Sequence, residues 1–397
     1  MRILVLCDRF PFPLYNGQNL RIYHYVTHLS VKHQFDLVCY GDSEIPPALR
    51  KIFHKIKVFK KPEIKRSSSF LKKIKSTFSI SRSIPSKQMN HWLNKHLSEK
   101  NYDLLWMSGI GTAVSLPKVK KLPFLADIVD SGPLEYWRFL RAASNLIKKI
   151  RIGKSLIQEA LFEYYFFRKA DSCTVVSELD ARYLRWTCPR VPIHTIHNGV
   201  DENYFFPSEK EQDPATIILE GSMEFPPNID AACYLVQDIL PYVQQQIPEA
   251  KVILVGRDPS PDVLALVKNN VIVTGFVEDI RPYLAQATVF ACPMRKGAGI
   301  KNKILQAWAM GKPIIASPTA VGGLSVREGE NILIRSGAKE TANAIVEVIK
   351  NKILQQKLAE EGRKTICTHY TWEQKAKELD LLFQSTVDLF YKKNSGN

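Results

Sequence analysis

The chain has 397 residues, too many for one ordinary hydrophobic core, and two domains of about 150 to 200 residues are the natural division. Its 45% hydrophobic and 24% charged residues are those of a folded globular protein, which excludes the disordered and low-complexity classes. The net charge of +16 belongs to the first half, where residues 1–200 hold 33 Lys and Arg against 15 Asp and Glu.

The opening MRILVLCDRF reads as a first buried strand over 3–7. Its apolar run is too short for the core of a secretion signal, and no small-residue cleavage site follows it. Further strands are expected at 35–40, 104–107, 124–129, 173–176 and 193–196, then in a second series at 217–220, 252–255, 271–274, 289–292 and 314–316. Helices are expected at 141–170 (one long helix or a pair), 228–247, 339–360 and 372–391. Two βα series in succession predict an α/β fold of two parallel-sheet domains, with ligands at the carboxyl ends of the strands and the two sheets facing across a cleft. Between the series, ENYFFPSEKEQDPA at 202–215 is charged, holds two prolines and lacks apolar periodicity, as a linker would.

Residues 51–100 carry 14 basic and 2 acidic side chains. Lysines interleaved with Phe53, Phe59, Phe70, Leu71, Ile74 and Phe78 favour a peripheral element on an anionic membrane surface, with a merely solvated basic face as the plain alternative. No nucleic-acid module signature occurs, so no nucleic-acid partner is expected. No stretch of 18 uncharged apolar residues occurs either, so no spanning helix is expected. The seven cysteines are scattered, mostly within apolar runs, without metal-ligand spacing; this is the usage of reduced thiols and points to the cytoplasm.

Four segments after strands are rich in Gly or Asn: PFPLYNGQN, IHNGVD, LEGSMEFPPN and KGAGIKNK. Glycine lets backbone approach a ligand closely, and a helix that starts at such a turn offers free N–H groups to phosphate. In the third, Gly221 and Ser222 follow a strand directly. In the last, Gly297 and Gly299 precede a helix that carries Lys301 and Lys303 at its start. A lysine there opposes the helix dipole at a cost of about 0.3 to 1 kcal/mol, which suggests an anion between the two. Arg21, Arg257 and the pair Asp127 and Asp130 in LADIVDSGP also stand where phosphate or acceptor could meet them, although Arg21 also fits a helix surface and the two Asp also fit helix capping.

GAGIKNKILQAWAMGKPIIAS, with HNGVD, VILVGRDP, VTGFVEDIRPYLAQA and PTAVGGL, resembles the retaining, two-Rossmann-domain (GT-B) glycosyltransferases of family 4, typified by sucrose synthase and bacterial mannosyltransferases. GSMEFPPNIDA and GAGIKNKIL are closer still to sugar transferases of bacterial exopolysaccharide systems. The resemblance implies hexose transfer from a nucleotide-sugar to a glycan or lipid-linked acceptor, with no cofactor and no metal, since no DxD pair is present. It implies an acceptor domain at 1–205, a nucleotide-sugar domain at 206–368 and a helix over 369–397 that crosses back. Donor phosphates would meet Asn16 and Gly17, the base would lie on Gly275, Phe276 and Val277, and sugar and diphosphate would sit over Gly297, Ala298, Gly299, Ile300, Lys301 and Lys303. Lys301, Lys303 and Arg257 would stabilise the departing diphosphate. The family's two glutamates fall on Ala298 and Gln306; Gln306 still bonds a ribose hydroxyl through its amide, without the charge. A weakly active nucleotide-sugar binder, or partner of an active transferase, is therefore the second reading. An epimerase of the same architecture is disfavoured because its carboxylate and histidine set has no counterpart.

Overall fold

The computed structural model describes residues 1–395 except 43, 63–83, 100, 118–121, 144, 209–212 and 298. The chain forms two compact units, one of Met1–His197 with Lys375–Asn397 and one of Asn198–Gln374.

In the first unit, β1 (Arg2–Cys7), β2 (Gln34–Tyr40), β3 (Lys55–Phe59), β4 (Leu104–Ser108), β5 (Phe124–Val129), β6 (Ser172–Val175) and β7 (Ile193–Thr195) pair in the order β3-β2-β1-β4-β5-β6-β7. Every pairing is parallel. Continuous apolar runs such as ILVLC are buried throughout, as a sheet covered on both faces requires. β3 is absent from the expected strands because its sequence KIKVF looks like part of a basic run. Read with a period of two, its exposed Lys55 and Lys57 alternate with inward residues on an edge strand, where lysines discourage pairing with another chain.

That placement corrects part of the membrane-surface expectation for residues 51–100. Phe53 and Phe59 are buried, and Phe59 meets the ring of Trp92 edge to face. Phe70, Leu71, Ile74 and Phe78 lie outside the described residues.

The expected helix at 141–170 is a pair, Gly132–Ala142 and Leu146–Phe167. The pair is tied at its base by Glu163, which is buried and accepts the Gly132 amide at 2.9 Å and the Ser131 hydroxyl. Burial pushes its carboxyl up to about 8, against the Gly132 hydrogen bond and with help from Glu159. Because the folded value lies above the ordinary value of 4.5, stability from this proton is full below that value and is lost as pH rises through about 8. Glu163→Gln, which keeps both partners and cannot ionise, is therefore expected to match the parent in thermal midpoint near pH 5. It should exceed the parent by a few degrees at pH 9; parallel midpoint curves across that range would contradict the assignment.

In the second unit, β8 (Thr216–Glu220), β9 (Lys251–Val255), β10 (Val271–Val273), β11 (Val289–Cys292), β12 (Ile314–Ala316) and β13 (Leu333–Ile334) pair in the order β10-β9-β8-β11-β12-β13, again all parallel. The unit begins at Asn198, ahead of the expected linker, because Val200 and Phe205 already belong to its core. It also extends past 368 at its far end: Thr371 bridges Val200, and a Cβ at Gly199 would come 2.7 Å from the ring of Trp372. The helix Trp372–Ser395 thus starts in the second unit and joins the first from Lys375, where Asp380 accepts from His33 Nε2 at 2.6 Å and Lys32 Nζ at 3.0 Å.

Candidate functional site

Each sheet has one place where neighbouring strands leave in opposite directions along the order, between β1 and β4 in the first and between β8 and β11 in the second. Open parallel sheets bind ligands in the crevice at the carboxyl ends of such strands. In the second unit, Glu220 ends β8 and Gly221 follows it, and the loop through Gly297 and Gly299 follows β11 and leads into the helix Asn302–Ala309.

The backbone of this region needs glycine at specific points. Gly221 has φ 150°, and a Cβ there would lie 2.6 Å from Asn228 Nδ2 and 2.7 Å from Lys303 Nζ. At Gly256, just after β9 with φ 151°, a Cβ would fall 1.8 Å from the Gly221 carbonyl oxygen, so the two loops touch backbone to backbone. Two hydrogen bonds fix that contact, Gly221 N to Val255 O at 2.9 Å and Met223 N to Arg257 O at 2.9 Å. Gly297 and Gly299 take φ 129° and 65°, conformations that side chains resist, and so let the loop turn into the helix.

Lys303 lies one residue into that helix and is half-buried. Its ammonium donates to the Glu220 carbonyl and, at 2.9 Å, to Asn228 Oδ1, while Asn228 Nδ2 donates to the Ser222 carbonyl at 2.9 Å. Its two anchors are therefore neutral oxygens, and among the described residues no ion pair to Lys303 forms. The Glu220 side chain is also buried; burial pushes its carboxyl up to about 7 and the nearby Lys303 charge pulls it down. Lys301 is buried and donates to the Gly299 carbonyl at 3.2 Å, folding back on its own loop. It stands at the start of the helix in extended conformation and provides no side-chain cap. Lys312, by contrast, is structural: buried, it donates to the Ala285 and Ala287 carbonyls at 2.7 and 2.8 Å, and burial pushes its pKa down to about 8.

A positively charged group on neutral acceptors, beside the uncapped start of a helix and two glycine turns, is an arrangement that attracts an anion. Gln306 stands three residues beyond Lys303, on the same side of the helix, and is half-buried. Asn302, the first helical residue, accepts from Asn198 Nδ2 at 3.0 Å, so the HNGVD segment braces the helix start. Ile300 packs against the core of the unit, and Ala298 lies outside the described residues. After β10, Gly275 turns with φ 69° and leaves Phe276 exposed and Val277 half-buried, while Arg257 after β9 lies 3.7 Å from Asp258. Arg295 and Lys296 are held by Asp230 at 2.9 Å each, apart from the Lys303 anchors. Glu220 and Asn228 escape the sequence reading; the only cue is a carboxylate closing an apolar strand in TIILEG and an Asn at a helix start in PPNID.

In the first unit the structure corrects the expectations for Arg21 and Asp127. Arg21 and Asp127 are fully buried and bound to each other, Nε to Oδ1 and Oδ2 at 3.1 and 3.0 Å. Arg21 also donates to the Ile196 carbonyl and Thr174 Oγ1, so both side chains are committed to the interior instead of to phosphate or acceptor. Asp130 is exposed but does not cap; Ser131 stands at that helix start. Asn16 caps the helix Gly17–Leu29 by accepting from the Asn19 amide at 2.9 Å, and Gly17 is its first residue. Among the described residues no group of three or more His, Cys, Asp and Glu is gathered as a metal centre would be.

Residues 214–351 match the family model described as glycosyl transferases group 1. Over 109 residues the chain is 30% identical to the lipopolysaccharide core biosynthesis glycosyltransferase LpsE of Rhizobium meliloti, covering 27% of this chain and 32% of that protein. Over 95 residues it is 30% identical to an uncharacterized glycosyltransferase of Methanocaldococcus jannaschii, covering 23% and 24%. The matched segments thus span no more than a third of these relatives. Among solved structures, Anabaena HepE in complex with UDP and glucose aligns over 96% of this chain and 99% of its own, with TM-score 0.67 and 15% identity. Sucrose-phosphate synthase from Thermosynechococcus elongatus aligns over 97% and 99%, with TM-score 0.69 and 18% identity. At such identities the likeness is one of fold: two Rossmann-like parallel-sheet units, as in the GT-B glycosyltransferases.

Proposed function

We propose that this chain is a group 1 glycosyltransferase that moves a hexose from a nucleoside-diphosphate sugar to a glycan or lipid-linked acceptor, with retention of configuration, in polysaccharide or lipopolysaccharide biosynthesis. The observation that carries this reading is the Lys303 ammonium, anchored on neutral oxygens at the switch point of the second sheet beside the start of the helix Asn302–Ala309. The family match of residues 214–351 covers that same region.

When a nucleoside diphosphate leaves, negative charge grows on the bridging oxygen, and preorganised positive groups lower the barrier. Lys303 and the helix start supply that field, with Lys301 and Arg257 next in line. In a retaining transfer the acceptor attacks from the leaving-group side and its proton passes to the leaving phosphate, so no protein nucleophile is required. Gly275, Phe276 and Val277 offer backbone and an exposed ring for the base, and Gln306 an amide for the ribose. The reading needs neither cofactor nor metal, because lysines provide the countercharge.

Titration calorimetry with UDP-, GDP- and ADP-sugars, followed by mass spectrometry of transfer products, tests this directly. One of these donors is expected to bind and to yield product with an added hexose. Failure of all to bind would sink the reading, and binding without turnover would favour the second one, a nucleotide-sugar binder weakened by Gln306.

A further inference from the structure

Among the described residues the largest concentration of exposed apolar side chains lies in the helix pair Gly132–Ala142 and Leu146–Phe167 of the first unit, elements that hold none of the residues assigned above to the donor. Trp137 is 51% exposed, Leu146 72%, Ile147 70% and Ile150 66%. On the longer helix, Leu146, Ile147, Ile150, Ile157, Leu161 and Tyr164 are all exposed. At about 100° per residue they fall within one stripe roughly 100° wide that runs the length of the helix. The side opposite the stripe carries the inward residues, with Phe162, Glu163 and Phe167 buried.

The charge on this pair is one-sided. Residues 137–169 contain eight Lys and Arg against two Glu, and one of those two is the buried Glu163. Lys148, Lys149, Arg151 and Lys154 are exposed; at about 100° per residue Lys149 and Arg151 border the stripe on its two sides, Lys154 lies within it and Lys148 faces away from it. An apolar stripe flanked by basic residues is the form of a helix that lies in the plane of a bilayer surface. The helix does not cross one: no described helix is long and apolar enough to span a membrane.

We propose that the stripe on Leu146–Phe167 docks this protein on the surface of an anionic phospholipid bilayer, with Leu146, Ile147 and Ile150 entering the headgroup boundary and Lys149, Arg151 and Lys154 meeting lipid phosphates. A second copy of the chain fits the stripe less well, since a two-fold contact would oppose the same basic residues across it. The site differs from the one anticipated within 51–100, where the described phenylalanines are buried. It stands on its own observations and does not depend on the transferase reading.

Flotation of the full chain with vesicles of phosphatidylcholine alone, and of phosphatidylcholine with phosphatidylglycerol, separates the outcomes. The protein is expected to float with the anionic vesicles and to be released by salt. Lys149→Gln, Arg151→Gln and Lys154→Gln combined should weaken that partition by about 100-fold, and Ile147→Glu with Ile150→Glu by at least about tenfold. All five positions are exposed, so circular dichroism and thermal midpoint should stay at the parent's values. Parent protein that stays unbound to both vesicle types overturns the proposal. So does full vesicle binding by the Ile147→Glu, Ile150→Glu variant, or a parent dimer that this variant converts to monomer without any vesicle binding.

Discussion

Replacing Lys303 by alanine is expected to lower the turnover of sugar transfer by about 100-fold or more, the scale found when a preorganised electrostatic group is removed from a charged transition state. The nucleotide itself should still bind, because base and ribose contacts would come from Gly275–Val277 and Gln306. Lys303→Met keeps the aliphatic stem without the charge, and should be as slow as the alanine variant. Glu220 adds a second readout. Its carboxyl is pushed up to about 7 by burial while Lys303 holds it down, so loss of the lysine should raise it further and keep it protonated at neutral pH. A Lys303→Ala enzyme with unchanged turnover would remove Lys303 from the reaction, whatever the fold.

Replacing Asp127 by alanine should cost about 3 to 5 kcal/mol of stability, the penalty of leaving the buried Arg21 guanidinium without its carboxylate. Both side chains have no exposure, and their hydrogen bonds join a helix to the ends of β5, β6 and β7. The variant should unfold at a much lower urea concentration in the transition that reports the first unit, while donor binding in the second unit is retained. Asp127→Asn, which keeps an acceptor but not the charge, should fall between. If instead Asp127→Ala left stability untouched and raised the KM for the acceptor, the side chain would belong to the substrate site after all.

The contrast between these two residues shows what the sequence makes legible. The alternation of short apolar runs with helical stretches is local, and all eleven expected strands occur among the thirteen formed by the described residues. The glycine-lysine loop was legible for the same reason: its turn, its helix and its misplaced positive charge are neighbours in the chain. Arg21 and Asp127 look like site residues by type and by position near strand ends, yet their partnership spans 106 positions, and only packing reveals that both point inward. The anchors of Lys303 are hidden in the same way, with Asn228 75 and Glu220 83 positions away. β3 was obscured by its own lysines, which mark an edge rather than a loop.

The contact of Gly256 with the Gly221 carbonyl limits any attempt to redesign the two turns separately. The turn after β9 and the turn after β8 share one surface with no room for a side chain between them. They cannot be randomised as independent cassettes. A library that varies 257–260 must hold Gly256 fixed and carry 221–223 from the same parent, or its members will differ in fold before they differ in activity.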